Sequence, residues 1–158
     1  MPGGASCVHG VVFCGSEDNV KVASVLIEPW FDTKEAIESK LKKLKATHIP
    51  EKNSIGFMFA CIGRGQHFHE GVANLESGIF QKVFPNTPLF GFFGNGEIGY
   101  DYLPDYSKPQ GDRGFSVFGD EVHSPTEEHS GGGAQVVGPP ISHGYSTIFV
   151  LMSMNTDT

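Results

Sequence analysis

The sequence predicts an α+β domain with a mostly antiparallel mixed sheet and two main helices packed on one face. Three observations support this fold class. Apolar segments of strand length outnumber the helical segments. Several neighbouring strand segments are separated by hairpin-length turns, which favours antiparallel pairing. A chain of 158 residues has the size of one domain and is long enough to bury a substantial core.

The first half of the chain predicts a β-hairpin followed by a helix. Residues 9–15 and 20–28 are apolar segments separated by turn-forming residues, which is typical of a hairpin. Residues 33–46 have the spacing of an amphipathic helix. Asp32 is the predicted cap of this helix, and Glu35 has the spacing of a capping box.

The middle of the chain predicts two buried strands on either side of a second helix. Ser54–Cys61 and Leu89–Phe93 are almost entirely apolar, and residues 72–84 have helical periodicity. Gly94–Gly96 predicts a tight turn into a returning strand at residues 97–100. The phenylalanines of these elements are expected mainly in the core: Phe57, Phe59, Phe80, Phe84, Phe90, Phe92 and Phe93.

The ends and the last third of the chain complete the domain prediction. Residues 1–8 predict a flexible tail, and residues 9–158 predict one domain. Residues 104–143 are rich in glycine, proline and acidic side chains, and they predict a partly disordered insertion. Tyr145–Met152 predicts the final strand.

Composition and charge exclude several classes of protein. The formal net charge is −7, so nucleic acid is not an expected partner. No apolar segment reaches the length of a membrane span, and no secretion signal is expected at the N-terminus. The three cysteines favour free thiols in a reducing compartment over a disulfide framework. We expect a cytoplasmic or nuclear protein.

Two glycine-rich turns, each after a predicted buried strand, are the main candidate site. The first is Gly63-Arg64-Gly65, and the second is Gly94-Asn95-Gly96-Glu97. Glycine allows a ligand or a neighbouring chain to approach the backbone closely. In the functional interpretation Arg64, Asn95 and Glu97 are polar groups at one rim, suited to a zwitterionic or peptide-like ligand. In the alternative interpretation these are tight turns without a ligand.

Three further side chains are weaker candidates for chemistry. Cys61 ends a strand close to Arg64, which would favour a thiolate, but a buried structural cysteine is the alternative. His67 and His69 would lie on one side of an extended segment and could share a metal. Two ligands do not make a structural zinc site, so we predict no metal and no cofactor.

Three segments resemble the C-terminal FIST domain family, in the form that occurs in an F-box protein. They are residues 49–65 (Ile-Pro-Glu-Lys-Asn-Ser-Ile-Gly-Phe-Met-Phe-Ala-Cys-Ile-Gly-Arg-Gly), residues 84–99 (Phe-Pro-Asn-Thr-Pro-Leu-Phe-Gly-Phe-Phe-Gly-Asn-Gly-Glu-Ile-Gly) and, more weakly, residues 143–149. Gly96–Gly99 (Gly-Glu-Ile-Gly) is the most recognisable family motif, so the resemblance implies Glu97 as a pocket residue. Cys61 and Arg64 lie in the other matched motif.

The resemblance implies a protein-binding function. F-box proteins are the substrate receptors of SCF-type ubiquitin ligases, and their C-terminal part holds the client protein. A Skp1-type adaptor would bind only through an F-box, which is not expected in this chain. The resemblance also implies an alternative, the sensing of a small amino-acid-like ligand. An enzyme, such as a cysteine hydrolase, is the weakest hypothesis, and we predict no catalysis. The predicted binding residues are Cys61, Gly63, Arg64, Gly65, Asn95, Gly96 and Glu97.

Overall fold

Six strands and two α-helices make up the regular structure of residues 15–16, 19–113 and 140–154, which are the residues that the computed structural model describes. In chain order they are β1 (Val20–Ile27), α1 (Lys34–Lys45), β2 (Ser54–Cys61), α2 (Leu75–Val83), β3 (Leu89–Gly94), β4 (Glu97–Ile98), β5 (Ser142–His143) and β6 (Thr147–Met154). A short 3₁₀ turn, Ile62–Arg64, follows β2.

The main sheet has four strands in the order β1-β6-β2-β3. β6 pairs antiparallel with both β1 and β2, and β2 pairs parallel with β3. This arrangement confirms the predicted α+β class and the mostly antiparallel mixed sheet. β4 and β5 form a separate two-stranded sheet.

The core lies between one face of this sheet and the two helices. Side chains alternate between the faces of a strand, so Ala23, Val25 and Ile27 of β1 point to the same side. These side chains form one buried cluster with the apolar side chains of β6, α1 and α2: Phe149, Leu151, Ile37, Leu41, Leu44, Ile79, Phe80 and Val83. Neither helix of the described ranges has the length and apolar character of a membrane span.

The first helix begins one residue later than its predicted cap requires. Thr33, not Asp32, is the N-cap, because its backbone is extended and its Oγ1 accepts a hydrogen bond from the N–H of Ala36 at 3.2 Å. The capping-box prediction from Asp32 and Glu35 is therefore wrong. Asp and Thr are both favoured caps, so the sequence alone could not separate two adjacent candidates.

The outer edge of β1 is already occupied, which affects the predicted first hairpin. The N–H groups of Val22, Ser24 and Leu26 donate to Tyr106 Oη, Tyr102 O and Asp101 Oδ1, at 3.0, 2.8 and 2.6 Å. The segment 101–106 thus takes the place along β1 that a hairpin partner would need. Most of the predicted hairpin partner, residues 9–14, lies outside the described residues.

The predicted insertion at 104–143 is described only at its two ends. At the first end, Tyr106 packs against the core and its N–H donates to Thr47 O at 2.9 Å. At the other end, Ser142 and His143 form β5. The rest of the insertion, residues 114–139, and the predicted tail at residues 1–8 lie outside the described residues.

The prediction that β3 is a buried strand is wrong, because β3 lies at the edge of the main sheet. Phe90, Phe92 and Phe93 are 59%, 64% and 51% exposed. The expected returning strand does not cover them, since Glu97 and Ile98 pair with β5 instead. Of the phenylalanines that were expected in the core, Phe80 and Phe84 are fully buried.

Gly56 in β2 provides a test of the helix-to-sheet packing. A Cβ at Gly56 would overlap the ring of Phe80, which is buried, whereas a Cβ at Gly78 in α2 would meet nothing. We expect Gly56→Ala to lower the free energy of unfolding by about 1–3 kcal/mol through overpacking. Gly78→Ala should raise it by about 0.5–1 kcal/mol through helix propensity. Urea denaturation measures both, and equal effects of the two variants would contradict this packing.

A partly exposed carboxylate joins the two helices and predicts an acid dependence. Glu38 of α1 pairs with Lys42 and with Lys82 of α2, at 2.8 and 2.7 Å. Hydrogen bonds from Lys42 and then Lys82 lower the pKa of Glu38 from 4.5 to about 2. Its stabilising contribution is present above pH 4.5 and is lost as the pH falls towards 2.

We therefore expect the stability difference between the parent and Glu38→Gln to shrink between pH 4.5 and pH 2. Thermal unfolding over this pH range measures it, and added salt should reduce it because both lysine partners are exposed. A difference that does not change with pH would contradict the lowered pKa.

Candidate functional site

The buried carboxylate of Glu76, in the first turn of α2, is the centre of the site. Its Oε1 accepts a hydrogen bond from Arg64 Nε at 2.7 Å and is paired with Arg64 Nη2 at 2.5 Å. His69 Nε2 lies 3.1 Å from the same oxygen. The other oxygen accepts a hydrogen bond from Thr147 Oγ1 at 2.6 Å. All four side chains are buried, so this ion pair is shielded from water.

Arg64 also connects three loops at one end of the sheet. Its guanidinium donates to the carbonyl oxygens of Phe31 and Tyr145, at 3.0 and 3.2 Å, and more weakly to that of Glu28 at 3.4 Å. The guanidinium carbon lies 4.6 Å from the centre of the Phe68 ring. Arg64 is therefore a structural group that holds the ends of β1, β2 and β6 together.

Glu97 is a second buried carboxylate, and it binds Ser146, the residue that follows Tyr145. Its Oε2 accepts hydrogen bonds from the backbone N–H and the hydroxyl of Ser146, at 3.2 and 2.9 Å. Its Oε1 is buried and has no hydrogen-bond partner among the described residues. The side chain thus fastens the small β4-β5 sheet to the start of β6.

Three successive residues before and in β6 are consequently held by three buried charged side chains. Arg64 binds the carbonyl of Tyr145, Glu97 binds Ser146, and Glu76 binds the hydroxyl of Thr147. Tyr145 has a φ of 57°, in the left-handed region. This conformation costs a residue with a side chain about 1–2 kcal/mol, so the surrounding bonds must maintain it.

Three large apolar side chains are exposed on the loops that Arg64 connects. They are Trp30, Ile62 and Tyr145, which are 72%, 71% and 63% exposed, and we call them the strand-end patch. The loops are close together, since one guanidinium reaches the carbonyls of Phe31 and Tyr145. A Cβ at Gly63 would lie 2.8 Å from the Tyr145 ring, so glycine is needed beneath that ring.

The structure does not place the predicted site residues at one rim. Arg64 and Glu97 are buried and contact different residues of the segment 145–147, whereas Asn95 is exposed. The interpretation that these three form one polar rim is therefore wrong. The sequence shows that a polar side chain follows a strand. It does not show whether that side chain points into the core to bind a buried partner or out into solvent.

The remaining predicted residues have separate surroundings. Cys61 is buried and is the free cysteine of the described residues; Cys7 and Cys14 lie outside them. Gly63 lies beneath Tyr145, and Gly65 lines a cleft on the side of β3. Gly96 has a φ of 95°, so it requires glycine for the turn before Glu97.

The two weak metal candidates do not share a site. His67 is exposed, whereas His69 is buried against Glu76, because residues 62–71 form a 3₁₀ turn and further turns in place of an extended strand. The Nδ1 atom of His69 has no hydrogen-bond partner within the described ranges. Across those ranges, no group of three or more His, Cys, Asp or Glu side chains could hold a metal ion.

A cleft of about 370 Å³ lies between β3 and the loop before α2. Of the predicted binding residues, Arg64 and Gly65 line it, but the second glycine turn does not. The cleft walls combine the exposed phenylalanines of β3 with polar side chains such as Gln66 and Asn74. This cleft lies beside β3 and not between the two glycine turns.

Sequence reasoning missed the residues that organise the site, above all Glu76. Glu76 lies inside a predicted helix, where an acid in the first turn is ordinarily explained by the helix dipole. Thr147, whose hydroxyl donates to the Glu76 carboxylate, lies 71 residues away from Glu76 in the chain. Trp30, which does not contact that carboxylate, lies 46 residues away. No short motif contains these residues together, so no local signal could have identified the network.

Removing the negative charge of Glu76 tests the network. Glu76→Gln would leave the buried Arg64 guanidinium without a counter-charge, and we expect a loss of about 3–5 kcal/mol in the free energy of unfolding. Glu70→Gln, at an exposed position in the turns before α2, should change it by less than about 0.5 kcal/mol. Urea denaturation of both variants measures the difference, and a loss below about 1 kcal/mol for Glu76→Gln would show that the pair contributes little.

Comparison with known proteins agrees with the resemblance seen in the sequence. Residues 19–100 match the FIST C domain family, which is just over half of the chain. Over 99 residues the chain is 47% identical to F-box only protein 22 of Homo sapiens and 46% identical to F-box only protein 22 of Pongo abelii. The aligned part covers 63% of this chain and 24% of each relative, so the chain spans about a quarter of the length of these curated proteins. The chain belongs to the FIST C domain family.

Proposed function

We propose that this chain is the protein-recognition domain of an F-box-type receptor and that it binds a client protein for ubiquitination through the strand-end patch. The observation that carries the proposal is the exposure of Trp30, Ile62 and Tyr145 on loops that one buried arginine holds together. The similarity to F-box only protein 22 supports the receptor class.

The composition of the patch supports binding to a folded protein. Trp and Tyr are enriched among the interface residues that dominate binding energy, and they bring large apolar area with few rotatable bonds. Exposed apolar side chains that occur singly need no explanation, but several large ones on loops that one guanidinium joins favour an interaction site. In this chain the group lies at one end of the sheet.

The buried network beneath the patch supports a preorganised surface. Arg64 and Glu97 hold Tyr145 and Ser146 from two sides, and Tyr145 is kept in a left-handed conformation. A side chain that is already fixed in its bound position loses less entropy on binding. The family motifs that contain Arg64 and Glu97 would then support the binding surface from below without contacting the client.

The surroundings of the candidate nucleophile and acids support binding over catalysis. Cys61 is buried, both carboxylate oxygens of Glu76 accept hydrogen bonds, and Oε2 of Glu97 is bound to Ser146. A catalytic nucleophile requires a positioned base and access for a substrate. We propose that the domain itself performs no catalysis.

The proposal places this domain beside other parts of a ubiquitin ligase. A Skp1-type adaptor would bind through an F-box, and this domain would present the client. The cytoplasm and the nucleus are the compartments in which we propose that it works. The net charge of −7 argues against nucleic acid as the partner.

Substitution in the patch tests the proposed function. The tagged chain is used to capture proteins from a cell extract, and a captured protein is then purified for affinity measurement. We expect Trp30→Ala to weaken that affinity by about 30-fold, the effect of losing a central aromatic anchor of about 2 kcal/mol. The cellular half-life of the captured protein should lengthen when the chain is removed.

Met154→Ala is the matched control for this experiment. Met154 is also an exposed apolar residue, but it lies at the opposite end of β6 from Tyr145. The control should bind the client as the parent does. Equal affinity of Trp30→Ala and the parent would exclude the patch as the client site. A bound protein whose half-life is unchanged would separate recognition from ubiquitination.

A further inference from the structure

Among the described residues, no strand pairs with the outer edge of β3. β3 is the last strand of the main sheet and pairs with β2 on one side. Its residues Leu89–Gly94 make no hydrogen bond to any described residue on the other side. An unpaired strand edge presents alternating donors and acceptors that another extended chain can satisfy.

Two of the usual features that prevent pairing are missing from β3 itself. Leu89–Gly94 contains no charged side chain and no proline. Between Asn86 and Gly96 the sequence has no charged residue, although the chain as a whole has a net charge of −7. Phe90, Phe92 and Phe93 are each more than half exposed. A second copy of the chain could therefore approach this edge without local charge repulsion.

The order of side chains in β3 makes the strand complementary to itself. In an antiparallel pair centred on Gly91, Phe90 of one copy lies opposite Phe92 of the other, and Leu89 lies opposite Phe93. Opposite residues then share a face of the joined sheet, as side-chain alternation requires. Aromatic pairs of this kind are favourable across antiparallel strands.

The local structure fits this register. The Phe92 ring already contacts Phe59 of β2, with ring centres 5.4 Å apart, so an aromatic surface continues from β2 to the edge. A Cβ at Gly91 would overlap the backbone of Met58, so this position requires glycine. At the centre of the pair, Gly91 of one copy would lie opposite Gly91 of the other, with no side chain on either face of the sheet at that point.

We propose that two copies of this chain associate through β3, antiparallel about Gly91, and join their sheets into one continuous eight-stranded sheet. The strand-end patch, Trp30, Ile62 and Tyr145, contains no residue of β3. This inference goes beyond the proposed function and does not depend on it. A dimer would present two client sites at once and thereby raise the apparent affinity for a multivalent client.

A charge-complementation experiment tests the register. In a Phe90→Lys/Phe92→Lys variant, the proposed register places lysine opposite lysine twice. In a Phe90→Glu/Phe92→Glu variant, it places glutamate opposite glutamate twice. Like charges directly opposite each other are unfavourable, whereas the two variants together would form opposite-charge pairs. The substituted side chains are 59% and 64% exposed, so the fold should be retained.

Sedimentation equilibrium of the full chain provides the measurement. We expect the parent to have twice the monomer mass of 17.1 kDa and each charged variant to have the monomer mass. An equimolar mixture of the two variants should recover the dimer and lose it at high salt. Trp30→Lys, an exposed position outside β3, is the control and should remain dimeric.

Three outcomes would overturn the proposal. The first is a parent that is monomeric at every concentration at which it is soluble. The second is a lysine variant that remains dimeric. The third is a mixture of folded, charged variants that stays monomeric. A monomeric parent that binds an added extended peptide of alternating apolar residues, and loses that binding in the lysine variant, would assign the edge to a foreign strand.

Discussion

The ion pair between Arg64 and Glu76 determines how this end of the domain is built. A carboxylate and a guanidinium that are both buried each lose hydration, and the loss is offset only if every remaining donor and acceptor finds a partner. Here Thr147 and His69 complete the carboxylate, and the carbonyls of Phe31 and Tyr145 accept bonds from the guanidinium. Satisfying one pair therefore requires three loops to take defined positions.

This requirement connects the interior to the surface. The loops that satisfy Arg64 are the same loops that carry Trp30, Ile62 and Tyr145 into solvent. Glu97 adds a second restraint from the small sheet. A buried ion pair contributes little net stability compared with apolar packing, but it allows few alternative arrangements, because each one would leave a charge without a partner. The network therefore holds the backbone of the loops that carry the exposed side chains.

Much of the fold could be predicted, since it depends on local patterns. The apolar segment Ser54–Cys61 is a strand with the predicted ends, and the stripe of Ile37, Leu41 and Leu44 is the buried face of α1. The site was less predictable. Cys61, Arg64 and Glu97 were identified as important, but burial reverses the expected role of Arg64 and Glu97 as rim groups. Burial depends on partners such as Glu76 and Ser146, which are distant in sequence.

By itself the sequence determined the α+β class, the family resemblance and most of the strands and helices, because periodicity and turn residues act over a few neighbouring positions. The tertiary structure alone decided that β3 lies at an edge, that β4 pairs with β5, and that Arg64 points inward. Leu89–Phe93 has the composition of a buried strand, but the number of neighbours a strand receives is set by where the rest of the chain runs. The aromatic edge that results is a property of topology and not of local sequence.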